Sequence, residues 1–151
     1  MASNITRRAD ALQPVTGART RPRVGAVLPL SDYKHLLEHV EICERDRGPS
    51  WALLAYVLHD KIMNTEPCRG LVERDIVVGG SLVTYAAGGG AVASGLLVQR
   101  ARPGARQLGI IPVSSLLGAT LIGMRIGQRA PLLCEDGSVK SLVVVDTVPP
   151  T

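Results

Sequence analysis

Few residues of this 151-residue chain are spaced to do chemistry, and each such group also has a plainer reading. His35-Leu36-Leu37-Glu38-His39 has the H-x-x-E-H spacing of the inverted zinc-protease pattern. On a helix, His35 and His39 fall one turn apart and Cys43 continues the row. A zinc hydrolase would also need a third ligand, an open coordination position and a general base. Glu66 or Glu73 could be nominated as ligands, but no spacing marks either. The plainer reading is two surface histidines on a hairpin helix, and no metal ligand is assigned.

Glu41, Glu44 and Asp46 gather where that helix would end, and paired carboxylates could hold Mg²⁺ through oxygen ligands. Arg45 and Arg47 interleave with them and compete for the carboxylates, so the group reads equally as a solvated, mixed-charge tip. Gly88-Gly89-Gly90-Ala91-Val92-Ala93 fits the loose G-x-G-x-x-A dinucleotide pattern. No acid occurs between Asp75 and Glu135 to hold a ribose, so the glycines read as a turn. There is no G-K-[ST] of a phosphate loop. All three histidines lie between His35 and His59, which leaves a nucleophile in the second half of the chain without a base. No catalytic residue is assigned, no cofactor is implied, and the chain reads as a non-enzyme.

The elements that would position these residues follow from hydrophobic period. Ser31 can cap a helix with Tyr33, Leu36, Leu37, Val40 and Cys43 on one face. Arg47-Gly48-Pro49-Ser50 breaks the pattern, and Ser50 can cap a second helix with Leu54, Val57, Leu58 and Ile62. Two amphipathic helices around a short break predict an antiparallel hairpin. Beyond it, Ile76–Val78, Leu82–Ala87, Val92–Val98, Leu108–Val113, Ala130–Cys134 and Val139–Val148 read as strands between Gly, Pro and Asp-Gly breaks. Leu116–Ile122 alone reads as helix, opened by Ser114 or Ser115 and closed by Gly123. The fold class is therefore α+β, a short N-terminal helical hairpin (a short coiled coil) followed by an antiparallel β domain with one short helix. The predicted division is a basic, disordered tail over 1–29, the hairpin over 30–64, a linker over 65–74 and the β domain over 75–149.

Charge and composition narrow the partners. Residues 1–27 hold Arg7, Arg8, Arg19, Arg21 and Arg23 against Asp10, and the remainder carries 12 basic and 12 acidic residues. The excess sits on a tail rather than on the fold, which argues against sequence-specific nucleic-acid binding. The tail's composition also suits an organelle transit peptide, but no sustained amphipathic period runs through it. Cys43, Cys68 and Cys134 are odd in number and lack a C-x-x-C pair, so reduced thiols and a cytoplasmic location are expected. Ile76–Gln99 is uncharged and long enough to span a bilayer. Its six glycines point instead to a β-hairpin, and no membrane role is assigned.

From Asp75 onward the chain resembles the C-terminal domain of the Gre transcription factors and, more closely, the Rnk proteins, named for regulation of nucleoside diphosphate kinase. Asp75-Ile76-Val77-Val78-Gly79-Gly80-Ser81-Leu82-Val83 is similar to their D-V-V-T-M-x-S strand. The segment from Ser115 to Gln128 is similar to their S-P-[IV]-G-x-A-L-[LI]-G-L-x-x-G-D, with Leu116 in place of Pro and Gln128 in place of Asp. The resemblance implies an FKBP-like β domain and a partner, RNA polymerase, gripped at the rim of its secondary channel. By position, Ser115, Leu116, Leu117 and Gly118 would make that contact. In Gre factors a long coiled coil carries two acids to the polymerase metal. The first helix here has about 15 residues, roughly 22 Å, or about half that reach. Expected, then, is a transcription elongation regulator that does not stimulate transcript cleavage and has no small-molecule substrate. A small zinc-dependent hydrolase using His35, Glu38 and His39, or an interaction module for another partner such as nucleoside diphosphate kinase, is the alternative.

Overall fold

The computed structural model describes residues 25–45, 48–100 and 109–150. The chain enters through β1 (Ala26–Pro29) and passes directly into α1 (Leu30–Arg45). α2 (Pro49–Met63) returns, and β2 (Thr65–Cys68) follows it. The second half contains β3 (Leu82–Ala87), β4 (Val92–Val98), β5 (Ile110–Pro112), α3 (Leu116–Leu121), β6 (Arg129–Leu133) and β7 (Val139–Val148).

The five-stranded sheet has the order β5-β4-β3-β7-β6, antiparallel except for the parallel β5–β4 edge. With the hairpin before it and one short helix within it, this is the α+β arrangement the sequence predicts. The uncharged run from Ile76 to Gln99 supplies β3 and β4, with Gly88-Gly89-Gly90 in the connection between them. Among the described residues no helix is long and apolar enough to cross a membrane. Ile76–Val78 is not a strand of this sheet. It is clamped to residues 123–126 instead: Val77 N–H donates to Met124 O (2.9 Å) and Gly123 N–H to Val77 O (2.8 Å).

Two expectations about the helix ends change. Ser31 lies inside α1, because β1 runs straight into the helix at Leu30. α2 opens on Gly48 as N-cap with no side-chain cap bond and with Pro49 in its first turn, where a missing N–H costs nothing. A third difference concerns the boundaries. Ala26–Pro29, read as tail, and Thr65–Cys68, read as linker, pair as a two-stranded parallel sheet from Ala26↔Thr65 to Pro29↔Cys68. The residues before position 25, where the tail's expected disorder falls, lie outside the described residues.

One hydrophobic cluster joins both halves. Leu36, Val40, Cys43, Leu54 and Leu58 of the hairpin are buried in the same core as Val77, Val83, Leu97, Leu121, Leu142 and Val144. Burial of side chains of this size stabilises by about 1.5–3 kcal/mol each, so the hairpin is held to the β domain as well as to itself.

Candidate functional site

The segment assigned to partner binding opens α3. Ser115 is its N-cap, in extended conformation. Its Oγ accepts from Gly118 N–H (3.0 Å) and donates to Pro112 O (2.6 Å), which welds the helix start to the end of β5. Gly118 is buried, and a Cβ there would lie 1.9 Å from Pro112 O, so the turn closes only around glycine. Leu116 and Leu117 are half-buried. Leu116 lines a cleft of about 250 Å³ together with Trp51, Leu54, Ser114, Ser115 and Glu135. Two walls of this cleft come from the first turns of α2, next to the hairpin tip. The structure therefore brings the tip end of the hairpin and the α3 start together.

Of the tip acids, Glu41 and Glu44 are exposed, and Asp46 lies outside the described residues. Glu44 Oε2 meets His59 Nε2 across the hairpin at 3.3 Å. Among the described residues it pairs with that imidazole rather than with Arg45, one of the two competitors the sequence suggests; the other, Arg47, lies outside the described residues.

The histidines of the H-x-x-E-H motif are not both at the surface. His39 is buried, with its Nε2 3.1 Å from Gln99 Oε1. Gln99 turns its Nε2 to Asp32 Oδ1 (2.8 Å), and Asp32 Oδ2 accepts from Gly79 N–H (3.1 Å). Because the carboxamide donates to Asp32, its oxygen faces His39, and the imidazole must donate from Nε2. Burial, first of all, lowers the His39 pKa, and nearby His35 and Arg100 add to the effect against the Gln99 bond and Glu38. Glu38 is engaged with Arg100 at 3.0 Å. The Nδ1 of His35 is buried without a hydrogen bond. Among the described residues, no three His, Cys, Asp or Glu side chains are grouped to hold a metal. The motif residues thus dock α1 on the end of β4.

The sequence reading missed Asp32, Gln99, Trp51 and Lys61. Asp32 and Gln99 carry no motif. Trp51 had one signal, as the only tryptophan in a chain without phenylalanine. Lys61 Nζ donates to Thr120 O (2.9 Å), pinning the end of α2 to α3, and burial pushes its pKa down to about 8. Gln128, which stands where the resembled family has Asp, still supplies an acceptor: its Oε1 takes Arg125 N–H at 3.0 Å. Arg125 in turn pairs with Glu73 (2.8 Å) and Asp75 (3.2 Å), fastening the segment that leads into the β domain.

No protein-family model matches the chain, and no curated protein matches it. Among solved structures, the prokaryotic transcription elongation factor GreA/GreB from Nitrosomonas europaea is similar at a TM-score of 0.57. It is 15% identical, over 83% of this chain and 99% of that one. Gfh1 of Thermus thermophilus, 16% identical over 82% of this chain and 98% of that one, superposes at only 0.41. Gfh1 of Thermus aquaticus gives 0.41 at 18% identity, over 83% of this chain and 99% of that one. Of these three the first likeness alone carries weight, and it extends to fold: over 83% of its length the chain shares the architecture of a GreA/GreB protein.

Proposed function

We propose that this chain regulates transcription by binding bacterial RNA polymerase at the mouth of its secondary channel, without stimulating transcript cleavage. The α3 start would make the contact: Ser115 fixes the turn, Gly118 lets it close on Pro112, and Leu116 and Leu117 offer an aliphatic surface. The architecture shared with a GreA/GreB elongation factor supports polymerase as the kind of partner. The observation that carries the second half of the reading is how the hairpin lies. α1 has 16 residues, about 24 Å, and the first turn of α2 faces Ser115 and Glu135 of the β domain. Glu41 and Glu44 therefore stay beside the β domain and are not carried far beyond it. Neither a small-molecule substrate, nor a cofactor, nor direct sequence-specific nucleic-acid contact belongs to this reading.

The test is binding of the purified chain to polymerase core, with and without a competing Gre factor, followed by a cleavage assay on backtracked complexes. Binding that the competitor displaces, weakened by Leu116→Glu and accompanied by no cleavage, is expected. Absence of binding at micromolar concentrations would refute the reading, and cleavage lost in Glu41→Ala/Glu44→Ala would refute its second half.

A further inference from the structure

We propose that the Arg-rich segment 1–24 docks in cis on the cleft between α2 and α3, covering Ser115 and Leu116. The docking stands on its own observations; its consequence, that the tail competes with the partner for this surface, rests on the polymerase reading.

The cleft has the chemistry of an arginine receptor. Trp51, Leu54 and Leu116 give it an apolar, partly aromatic wall, while Ser114, Ser115 and Glu135 give it oxygen acceptors. Guanidinium groups stack on aromatic faces, bury their stems on aliphatic surface and pair with carboxylates. Glu135 is exposed and forms no ion pair with another described residue. Asp136 follows it in the β6–β7 turn, and Glu41 and Glu44 lie toward the hairpin tip at the same end of the molecule. Lys140 acts on Asp136, and no described residue is paired with Glu135. The tail offers five arginines against a single acid.

Reach favours the distal arginines. Ala26 N–H donates to Asn64 O (2.7 Å), so the tail leaves the fold at the C-terminal end of α2. Trp51 lies about 20 Å away along that helix at 1.5 Å per residue. An extended chain advances about 3.3 Å per residue, so Arg19 can just span the distance, Arg7 and Arg8 do so with slack, and Arg23 falls short. Exposed ion pairs contribute only about 0–1 kcal/mol each. A tether of this length supplies an effective concentration on the order of millimolar, at which such contacts suffice in cis and fail in trans.

Trp51 is the sole tryptophan, so its fluorescence quenching by acrylamide in the full chain reports on the cleft directly. At low salt the quenching constant should be roughly twofold lower than in an Arg7→Glu/Arg8→Glu/Arg19→Glu variant, and the difference should largely vanish near 0.5 M salt, where the Debye length falls to about 4–5 Å. Arg23→Glu, the same substitution too close to the anchor, should keep the protection. Glu135→Arg should lose it, and Glu135→Arg combined with the triple tail variant should regain part of it. Equal quenching in the wild type and the triple variant at both salts would overturn the proposal. Protection that grows with protein concentration would overturn it too, by making a second copy the occupant. No polymerase enters the assay. Protection without polymerase binding would therefore sink the functional reading alone, and binding without protection would sink the docking alone.

Discussion

Asp32 and Gln99 meet at 2.8 Å although 67 residues separate them, and through this contact the first turn of α1 is fixed to the end of β4. Gln99 also holds His39, so one carboxamide satisfies two buried side chains of the helix. Gly79 completes the arrangement: a Cβ there would come within 2.5 Å of Asp32 Oδ1. Gln99→Met keeps the side chain's bulk and removes both bonds. It should cost about 2–3 kcal/mol, because a carboxylate and an imidazole lose a partner where water reaches poorly. Urea denaturation should show a lower midpoint with an unchanged slope; an unchanged midpoint would mean that the bridge is not made in solution.

The same site sets an acid limit. Folding lowers the His39 pKa, so between the folded value and the ordinary 6.5 the unfolded chain holds the extra proton. Stability contributed by the neutral imidazole is present above about pH 6.5 and is lost as pH falls through that window. Melting temperatures measured from pH 8 to pH 5 should decline below about 6.5 in the wild type. His39→Gln should flatten that part of the curve. Parallel curves would show that another group titrates.

Lys61 works at the opposite end of the scale. Its folded pKa of about 8 lies below the ordinary 10.5, so the penalty for the buried ammonium is complete below pH 8. It is relieved as pH climbs from 8 toward 10.5. Lys61→Met removes that penalty and the bond to Thr120 O together. The expected net gain near neutral pH is about 1–2 kcal/mol, shrinking toward pH 10. A loss of stability at pH 7 would show that the hydrogen bond outweighs the desolvation.

At the α3 start, variants can test the fold apart from the proposed contact. Gly118→Ala drives a methyl into Pro112 O and should destabilise by about 3 kcal/mol or more. Ser115→Ala removes the cap and the bond to Pro112 O without adding bulk, and should cost about 1–2 kcal/mol. Leu116→Glu changes a half-buried side chain at the rim of the cleft and should leave the melting temperature within a few degrees. If Leu116→Glu melts as early as Gly118→Ala, its side chain belongs to the core and not to a contact surface.

Much of the architecture was legible in the sequence because it is written in local pattern. The runs Leu82–Ala87 and Val92–Val98 around three glycines mark the central β-hairpin, and Ser115 before and Gly123 after an apolar run mark α3. What escaped was long-range. β1 and β2 are four residues each and pair in parallel across the whole hairpin, so neither carries a period or a turn of its own. His39 was read as exposed from residue type, although Leu36 and Cys43, three before it and four after, already placed it on the buried stripe. Leu37, assigned to that stripe, is 44% exposed, since the true face is centred on Leu36, His39, Val40 and Cys43. The cleft was invisible because Trp51, Ser115 and Glu135 come from three separate elements.

The parallel pairing of β1 with β2 also decides how the molecule would bear mechanical load. Tension applied to the N-terminal segment enters β1 at Ala26 and leaves β2 at Cys68, at opposite ends of the two strands. Such a pull shears the strands, loading all the backbone rungs at once, whereas an antiparallel pair would open from its free end one rung at a time. The helices lie inside this clasp and stay slack until it gives way. A chain held by its tail would thus keep its hairpin folded up to the force that ruptures the four paired positions together.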